Sequence, residues 1–348
     1  MKPHLWLRHE QRPHEQRAGL MPDGVAALID SGFHITVEDS PARCVPTQAY
    51  IDAGADIAPA ASWVMAPQDA IILGLKELPD DDAPLVHRHI MFGHAFKGQA
   101  AGQRLLDRFR HGGGTLYDLE ALVDEDGRRV AAFGYWAGYV GAAVTLIALA
   151  AQHRGGICGP LEPFADKEDL VEKVTAEMAD LAMPRVLIVG ANGRVGAGAA
   201  DLCGAMNIPV TAWDAEHTAS GGPFPEILAH PVLLNCILAQ PGCPVFVPEN
   251  AGQVERALRV IGDIACDPAS DFSPIRVYDH TTDWENPALR VAMEPPLDVV
   301  AIDNLPSLLP KESSADYAAQ LLPHLHALEH LDQGVWMRAK AAFDTAIT

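Results

Sequence analysis

Lys76 and Glu77 stand side by side near the end of the run IILGLKELP (71–79), where an apolar stretch of the kind that builds a buried strand delivers an ammonium and a carboxylate. At the carboxyl end of a parallel strand such groups face the ligand-binding edge of an open α/β sheet. Partial burial there lowers a lysine's pKa towards that of a usable base. Glu77 is placed to hold a substrate ammonium. His94 follows the next apolar run in HRHIMFGHAFKGQ (87–99), at the same level as Lys76, with Lys97 close behind. His87, His89 and His94 make a poor metal set, because no carboxylate or cysteine completes them and they span a strand. Arg12 and Arg17 lie in a loop ahead of a helix, where a guanidinium fork suits a carboxylate. Glu120 in LYDLEAL and the pair Arg128 and Arg129 in GRRVAAFG flank the same strand edge. Asp303 ends the last strand of the second half and is equally read as a cap on the turn that follows. Taken singly, each of these residues also has a bland reading as a solvated or structural group.

A second constellation lies in RVLIVGANGRVGAGAADLCGAMNIPVTAWDAEH (185–217): an apolar strand, a glycine-rich turn, a helix, another strand, then an acid. Gly190, Gly193 and Gly196 are spaced GxxGxxG, and Asn192 holds the usual middle-glycine position. Residues without side chains let backbone N–H groups at a helix N-terminus approach a pyrophosphate, so Gly190, Gly193, Arg194, Val195 and Gly196 form the candidate phosphate turn. Asp214, about twenty residues on, is placed to accept hydrogen bonds from an adenosine ribose. Its charge opposes a 2′-phosphate and no lysine or arginine follows it closely, which favours NAD over NADP. Asp214 is also a plausible helix N-cap.

The elements that must position these residues read as repeated βα units. Apolar runs at 5–7, 33–37, 71–73, 90–92 and 115–116 alternate with helices opening at Pro22, near 47–53 and at 99–109, and a second series starts with RVLIVG. The pattern predicts an α/β chain of two Rossmann-like, doubly wound parallel sheets with a site in the cleft between them. The expected division is residues 1–132 plus 312–348 against 133–311, with a linker at 153–164 and a C-terminal helical stretch returning to the first half. The uncharged run 130–151 is long enough to cross a bilayer. Its alanine and glycine content, and aromatic residues inside the run rather than at its rims, favour a buried helix at a domain junction. Acidic residues outnumber basic ones by 46 to 25, a net charge of −21 that disfavours nucleic acid and anionic membranes as partners. The six cysteines show no CxxC pair and the polar N-terminus is unlike a signal peptide, so the expected location is the cytoplasm.

LRHEQRPHEQR, VEDSP, IILGLKELP, LYDLEAL, GRRVAAFGYWAGYVGAA, GGPFPEI and AIDNLPSLLPKE together resemble the NAD-dependent, lysine-forming saccharopine dehydrogenases known from fungal lysine synthesis, a family related to the alanine dehydrogenase/transhydrogenase fold group. The resemblance covers nearly the whole chain. It implies a substrate-binding first domain, an NAD-binding second domain and no metal. It further implies Lys76 and His94 as the acid–base pair, with Glu77 and Glu120 around the lysine end of saccharopine and Arg17 and Arg129 on the glutamate-derived carboxylates. Arg12, Lys97 and Asp303 would complete the charge network. The chain departs from the family pattern in GDIACDPASDFSPI (262–275) and at Asn304, where histidine is expected. Three further readings stay open: a related enzyme joining another amine to a 2-oxo acid, an alanine-dehydrogenase-like deaminase, and a nucleotide-binding regulator without catalysis. Glu77 and Glu120 argue against the deaminase, and Lys76 and His94 against the regulator.

Overall fold

Short apolar runs without polar alternation need cover on both faces, and this chain supplies it by laying helices over parallel sheets. The computed structural model describes residues 2–96 and 98–348. Its first strands are β1 (His4–Leu7), β2 (His34–Glu38), β3 (Asp56–Ala58), β4 (Ile71–Leu73), β5 (Arg88–Met91) and β6 (Thr115–Asp118). They pair in the order β3-β2-β1-β4-β5-β6, every pair parallel. The connecting helices are α1 (Pro22–Asp30), α2 (Thr47–Asp52) and α3 (Ala100–Gly112). Strand order reverses between β1 and β4, so the connections leaving these two strands diverge and open a crevice at their carboxyl ends. All three residues of β4 are fully buried, which explains its unbroken apolar run.

The second unit, Phe133–Glu312, contains α4 (Gly134–His153), α5 (Lys167–Met178), β7 (Val186–Val189), α6 (Arg194–Ala205), β8 (Val210–Trp213), α7 (Ala215–Thr218), α8 (Pro225–Leu228), β9 (Val232–Asn235), β10 (Val260–Asp263), β11 (Leu289–Met293) and β12 (Pro296–Val300). The sheet order is β11-β12-β10-β9-β7-β8, parallel except for β11, which runs antiparallel to β12. The switch in order falls between β7 and β9. Strand β11 has no fully buried residue and so lacks the apolar run that marks its neighbours. It is pinned by Arg290, which donates to both carboxylate oxygens of the buried Asp298 at 2.8 and 3.0 Å.

Helix α4 is long and apolar enough to cross a membrane, yet most of it is buried inside this unit, packed with residues of α5, α6 and the sheet. It is buried, as expected, and it opens the second unit directly after the boundary at Ala132 and Phe133. The stretch 153–164 is not a linker: the Leu161 N–H bonds to Trp284 O and the Phe164 N–H to Leu308 O, tying it into the same unit.

The chain ends in α9 (Pro310–Leu325) and α10 (Gly334–Ile347), and residues Ser313–Thr348 belong with the residues up to Ala132 in the first unit. Trp336 anchors α10. It is 1% exposed, meets the Tyr117 ring edge-on at 5.7 Å, and donates its indole N–H to His324 O at 2.9 Å. Trp336→Ala is therefore expected to cost roughly 3–5 kcal/mol through the cavity and the lost hydrogen bond, measured as a lower urea midpoint; a loss under about 1 kcal/mol would contradict this anchoring.

Candidate active site

Because the first sheet is parallel throughout, the carboxyl ends of β1, β4, β5 and β6 share one edge, and the chemistry-bearing residues follow those ends. The backbone of Lys76 is clamped from both sides. The carboxylate of Glu10, just beyond β1, accepts the N–H of Leu75 at 2.6 Å and of Lys76 at 3.0 Å, while the Arg8 guanidinium donates to Lys76 O. Arg8 also pairs with Glu10 at 3.3 Å; both side chains are almost fully enclosed. A Cβ at Gly74 would lie 2.2 Å from Arg8 Nε, so the glycine in LGLK is the space through which Arg8 reaches the peptide of Lys76.

His94 sits in the loop after β5 with φ of +48°, a left-handed conformation that non-glycine residues seldom adopt and that clusters at functional sites. Its Nδ1 lies 3.5 Å from Glu120 Oε2, and its ring stacks on Phe92. Asp118, at the end of β6, fixes this turn from below. Its Oδ1 accepts the Glu120 N–H at 2.9 Å. Burial pushes its pKa up, the Glu120 and Gly93 N–H groups and the charge of His94 pull it down, and the Glu120 carboxylate adds to the rise.

The expected carboxylate grips differ in setting. Arg12 is partly exposed and lies 3.7 Å from Glu77, itself open to solvent. Arg17 is 3% exposed and donates from Nε and Nη2 to the two oxygens of Glu15 at 2.8 and 2.7 Å. Burial pushes the Glu15 carboxyl up, but the charge and hydrogen bonds of Arg17, with Lys76 behind them, outweigh it and hold the pKa below the usual range. Tyr317 of α9 is completely buried. Burial raises its pKa, the charges of Arg17 and Arg129 oppose the rise, and that of Asp118 adds to it. Lys97 lies outside the described residues. Asp303 is exposed beyond β12 in the second unit, where its charge, with that of Asp263, adds to the burial that raises the Cys266 thiol. His87 and His89 belong to the interior: His87 Nε2 meets Ala66 O at 3.1 Å, and the His89 ring is packed edge-on between Trp63 and Phe109.

In the second unit the glycine-rich turn links β7 to α6. Gly190 has φ of +84°, and Gly196 approaches so closely that a Cβ there would lie 2.2 Å from Gly190 O. Gly193 is the N-cap of α6 with no side chain over the helix end, leaving the N–H groups of Arg194, Val195 and Gly196 directed out of the turn. Asp214 ends β8 and caps α7; its Oδ1 also accepts the Asn192 N–H at 3.3 Å, so the acid and the turn are coupled. A cavity of about 490 Å³ opens at the carboxyl ends of β7, β8 and β9, lined by Gly190, Gly193, Asp214, Ile237, Leu238 and their neighbours. The volume falls in the range of small-molecule sites, and it lies at the switch in strand order. Backbone donors, an acid and an apolar wall at this point fit a dinucleotide.

Sequence reasoning missed Arg8, Glu10, Glu15, Asp118 and Tyr317. The first three stand inside LRHEQRPHEQR and Asp118 inside LYDLEAL; the available signal was the density of charge in segments otherwise flanked by apolar residues.

Residues 6–140 match the model of the alanine dehydrogenase/PNT N-terminal domain. A saccharopine dehydrogenase (NAD(+), L-lysine-forming) of Schizosaccharomyces pombe is 41% identical over 99% of this chain and 98% of its own length; that of Candida glabrata is 42% identical, covering 98% and 96%. Among solved structures, an L-alanine dehydrogenase superposes with a TM-score of 0.67 over 98% of this chain and 94% of its own, at 16% identity, a likeness of fold.

Glu15→Gln is expected to destabilise the protein by roughly 3–5 kcal/mol at pH 7, since it removes the carboxylate charge that the buried Arg17 guanidinium contacts through two hydrogen bonds. A carboxyl with a depressed folded pKa contributes stability above the unfolded value of about 4.3 and loses it as pH falls through the folded pKa. Urea unfolding of wild type and variant should therefore converge in acid; a constant gap from pH 7 to below pH 4 would refute the ion pair as the source.

Proposed function

Because the chain belongs to the family of NAD-dependent, lysine-forming saccharopine dehydrogenases, we propose that it converts saccharopine to L-lysine and 2-oxoglutarate with NAD and carries out the reverse reductive condensation. The observation that carries this is identity above 40% over essentially the full length of relatives bearing that one activity. The cofactor is NAD, held in the second unit by Gly190, Gly193, Arg194, Val195 and Gly196 around the pyrophosphate and by Asp214 at the ribose; when bound, its nicotinamide takes up or returns a hydride at the substrate's α-carbon.

In the first unit we assign Lys76 to remove the proton of the substrate's secondary amine. The clamp on its backbone from Arg8 and Glu10 supports this role by holding the residue in one place at the strand edge. His94 would assist the attack of water on the substrate imine and move protons in the carbinolamine, with Glu120 at 3.5 Å to stabilise its imidazolium. Glu77 and Glu120 supply negative charge for the lysine end of the substrate. Arg17 and Arg129, which share Tyr317 as a neighbour, supply positive charge for carboxylates, with Arg12 beside Glu77. Lys97 and Asp303 are retained as further members of the charge network. The residues up to Ala132 with Ser313–Thr348 are thus proposed as the substrate-binding unit and Phe133–Glu312 as the NAD-binding unit. No two of the six cysteines form a CxxC pair, which suits a reducing compartment, and we place the enzyme in the cytoplasm.

The test mixes the protein with NADH, 2-oxoglutarate and a panel of amines and follows NADH absorbance. Rapid oxidation with lysine alone is expected; oxidation only with a different amine would displace the substrate. Lys76→Met should lower turnover by about 10²-fold or more while NADH affinity stays within about twofold; a comparable loss of NADH binding would remove Lys76 from the acid–base role.

A further inference from the structure

Asp214 does not stand alone at the ribose end of the nucleotide cavity. Its own backbone N–H donates to His217 Nδ1 at 3.1 Å, and the His217 N–H turns back to Asp214, donating to its carbonyl at 3.0 Å with the side chain alongside in a capping-box arrangement. A backbone N–H can only donate, so Nδ1 is the bare acceptor nitrogen and the imidazole is the neutral Nε2–H form. The ring lies nearly parallel to Trp213, 10° between planes at 6.0 Å, and Trp213 in turn meets Phe224 edge-on at 5.9 Å. The first residue of the box therefore carries the acid facing the cavity, and the last carries a group that ordinarily changes charge between pH 5 and 8. The reciprocal acceptor at this position is commonly Glu or Gln, neither of which does so.

Resting on the NAD reading of this cavity, we propose that His217 is a positioning residue for the cofactor: its neutral ring holds Asp214 in the pose that binds the ribose, and protonation of the ring releases that pose. A proton on Nδ1 turns the acceptor into a donor facing the Asp214 N–H, so that bond is lost. The imidazolium is then drawn to the carboxylates of its own turn, Asp214 and Glu216. Either movement takes Asp214 Oδ1 away from the Asn192 N–H, the bond that couples the acid to the phosphate turn. From the elements packed against this turn, β8 presents Trp213. The turn before α6 presents Asn192, and at the start of α6 Arg194 has its aliphatic stem against Gly134 of α4. The direction is thus set locally: binding favours the neutral ring, and affinity falls as pH falls.

Binding of NADH, read from its own fluorescence and from quenching of tryptophan emission, tests this without turnover. For wild type the dissociation constant should rise as pH falls from 7.5 to 5.5. His217→Gln, which keeps a side-chain acceptor for the Asp214 N–H but cannot titrate, should match wild type at pH 7.5 within about twofold and lose the slope. His217→Ala should bind several-fold more weakly at pH 7.5, also without a slope, with its thermal unfolding checking that the fold is intact. A wild type that binds NADH with affinity independent of pH, or a glutamine variant that keeps the slope, overturns the proposal alone. Failure of the wild type to bind NADH at any pH would overturn the nucleotide reading and this proposal together.

Discussion

The buried pair of Arg8 and Glu10 is the constraint on which the first unit's chemistry depends. Both side chains are removed from water immediately beyond β1, and each satisfies its charge partly on the other and partly on the peptides of Leu75 and Lys76 beyond β4. An isolated buried charge is too costly to keep, so the pair and its peptide bonds exist together or not at all. The outcome is a lysine whose backbone is fixed at the point where strand order reverses, the place in an open α/β sheet where two connections part and leave room for a ligand. Glu38, fully buried at the end of β2, serves the neighbouring loops in the same way by accepting N–H groups of His9, Ala61 and Trp63 and the indole N–H of Trp6.

Against a net charge of −21 a site for dicarboxylate substrates has to be built from local cations. The first unit carries the cations we propose for it, Arg12, Arg17, Lys76 and Arg129, and its acids lie beside several charged groups: Glu77 beside Arg12, Glu15 on Arg17, and Glu120 beside His94. Arg17 shows how such a cation is kept. Its guanidinium is oriented by Glu15 in a two-pronged contact, which preorganises the remaining donors instead of leaving a flexible side chain in solvent. In the second unit the proposed cofactor site relies on N–H groups at a helix start with one acid beside them, as suits a ligand whose phosphates carry the charge.

Some of this was legible in the chain. Strand ends marked by a change from apolar to charged residues located Lys76, Glu77, His94 and Asp303, and the glycine spacing with its following acid located Gly190 to Asp214. Strands β3 and β11 were not legible. Each sits at a sheet edge, where one side needs no apolar cover, and neither carries the uninterrupted hydrophobic run of its neighbours. Tyr317 was hidden for another reason: it comes from a helix nearly two hundred residues after Arg129, and only the return of α9 to the first unit brings it within reach of the charges of Arg17 and Arg129.

Local physics in the sequence settles the repeated βα units, the parallel direction of most strands, and the residues that stand at their carboxyl ends, because periodicity, glycine turns and strand-end charges act over a few residues. Tertiary structure alone decides which distant peptides the local ion pairs serve. Arg8 and Glu10 reach the peptides of Leu75 and Lys76 only once β1 and β4 are neighbours, Asp118 and Glu120 are set beside His94 only by the pairing of β5 with β6, and α4 is enclosed only when its unit closes around it. These choices depend on contacts between segments far apart in the chain, and the cost of leaving a buried polar group unpaired makes them specific once the sheets have formed.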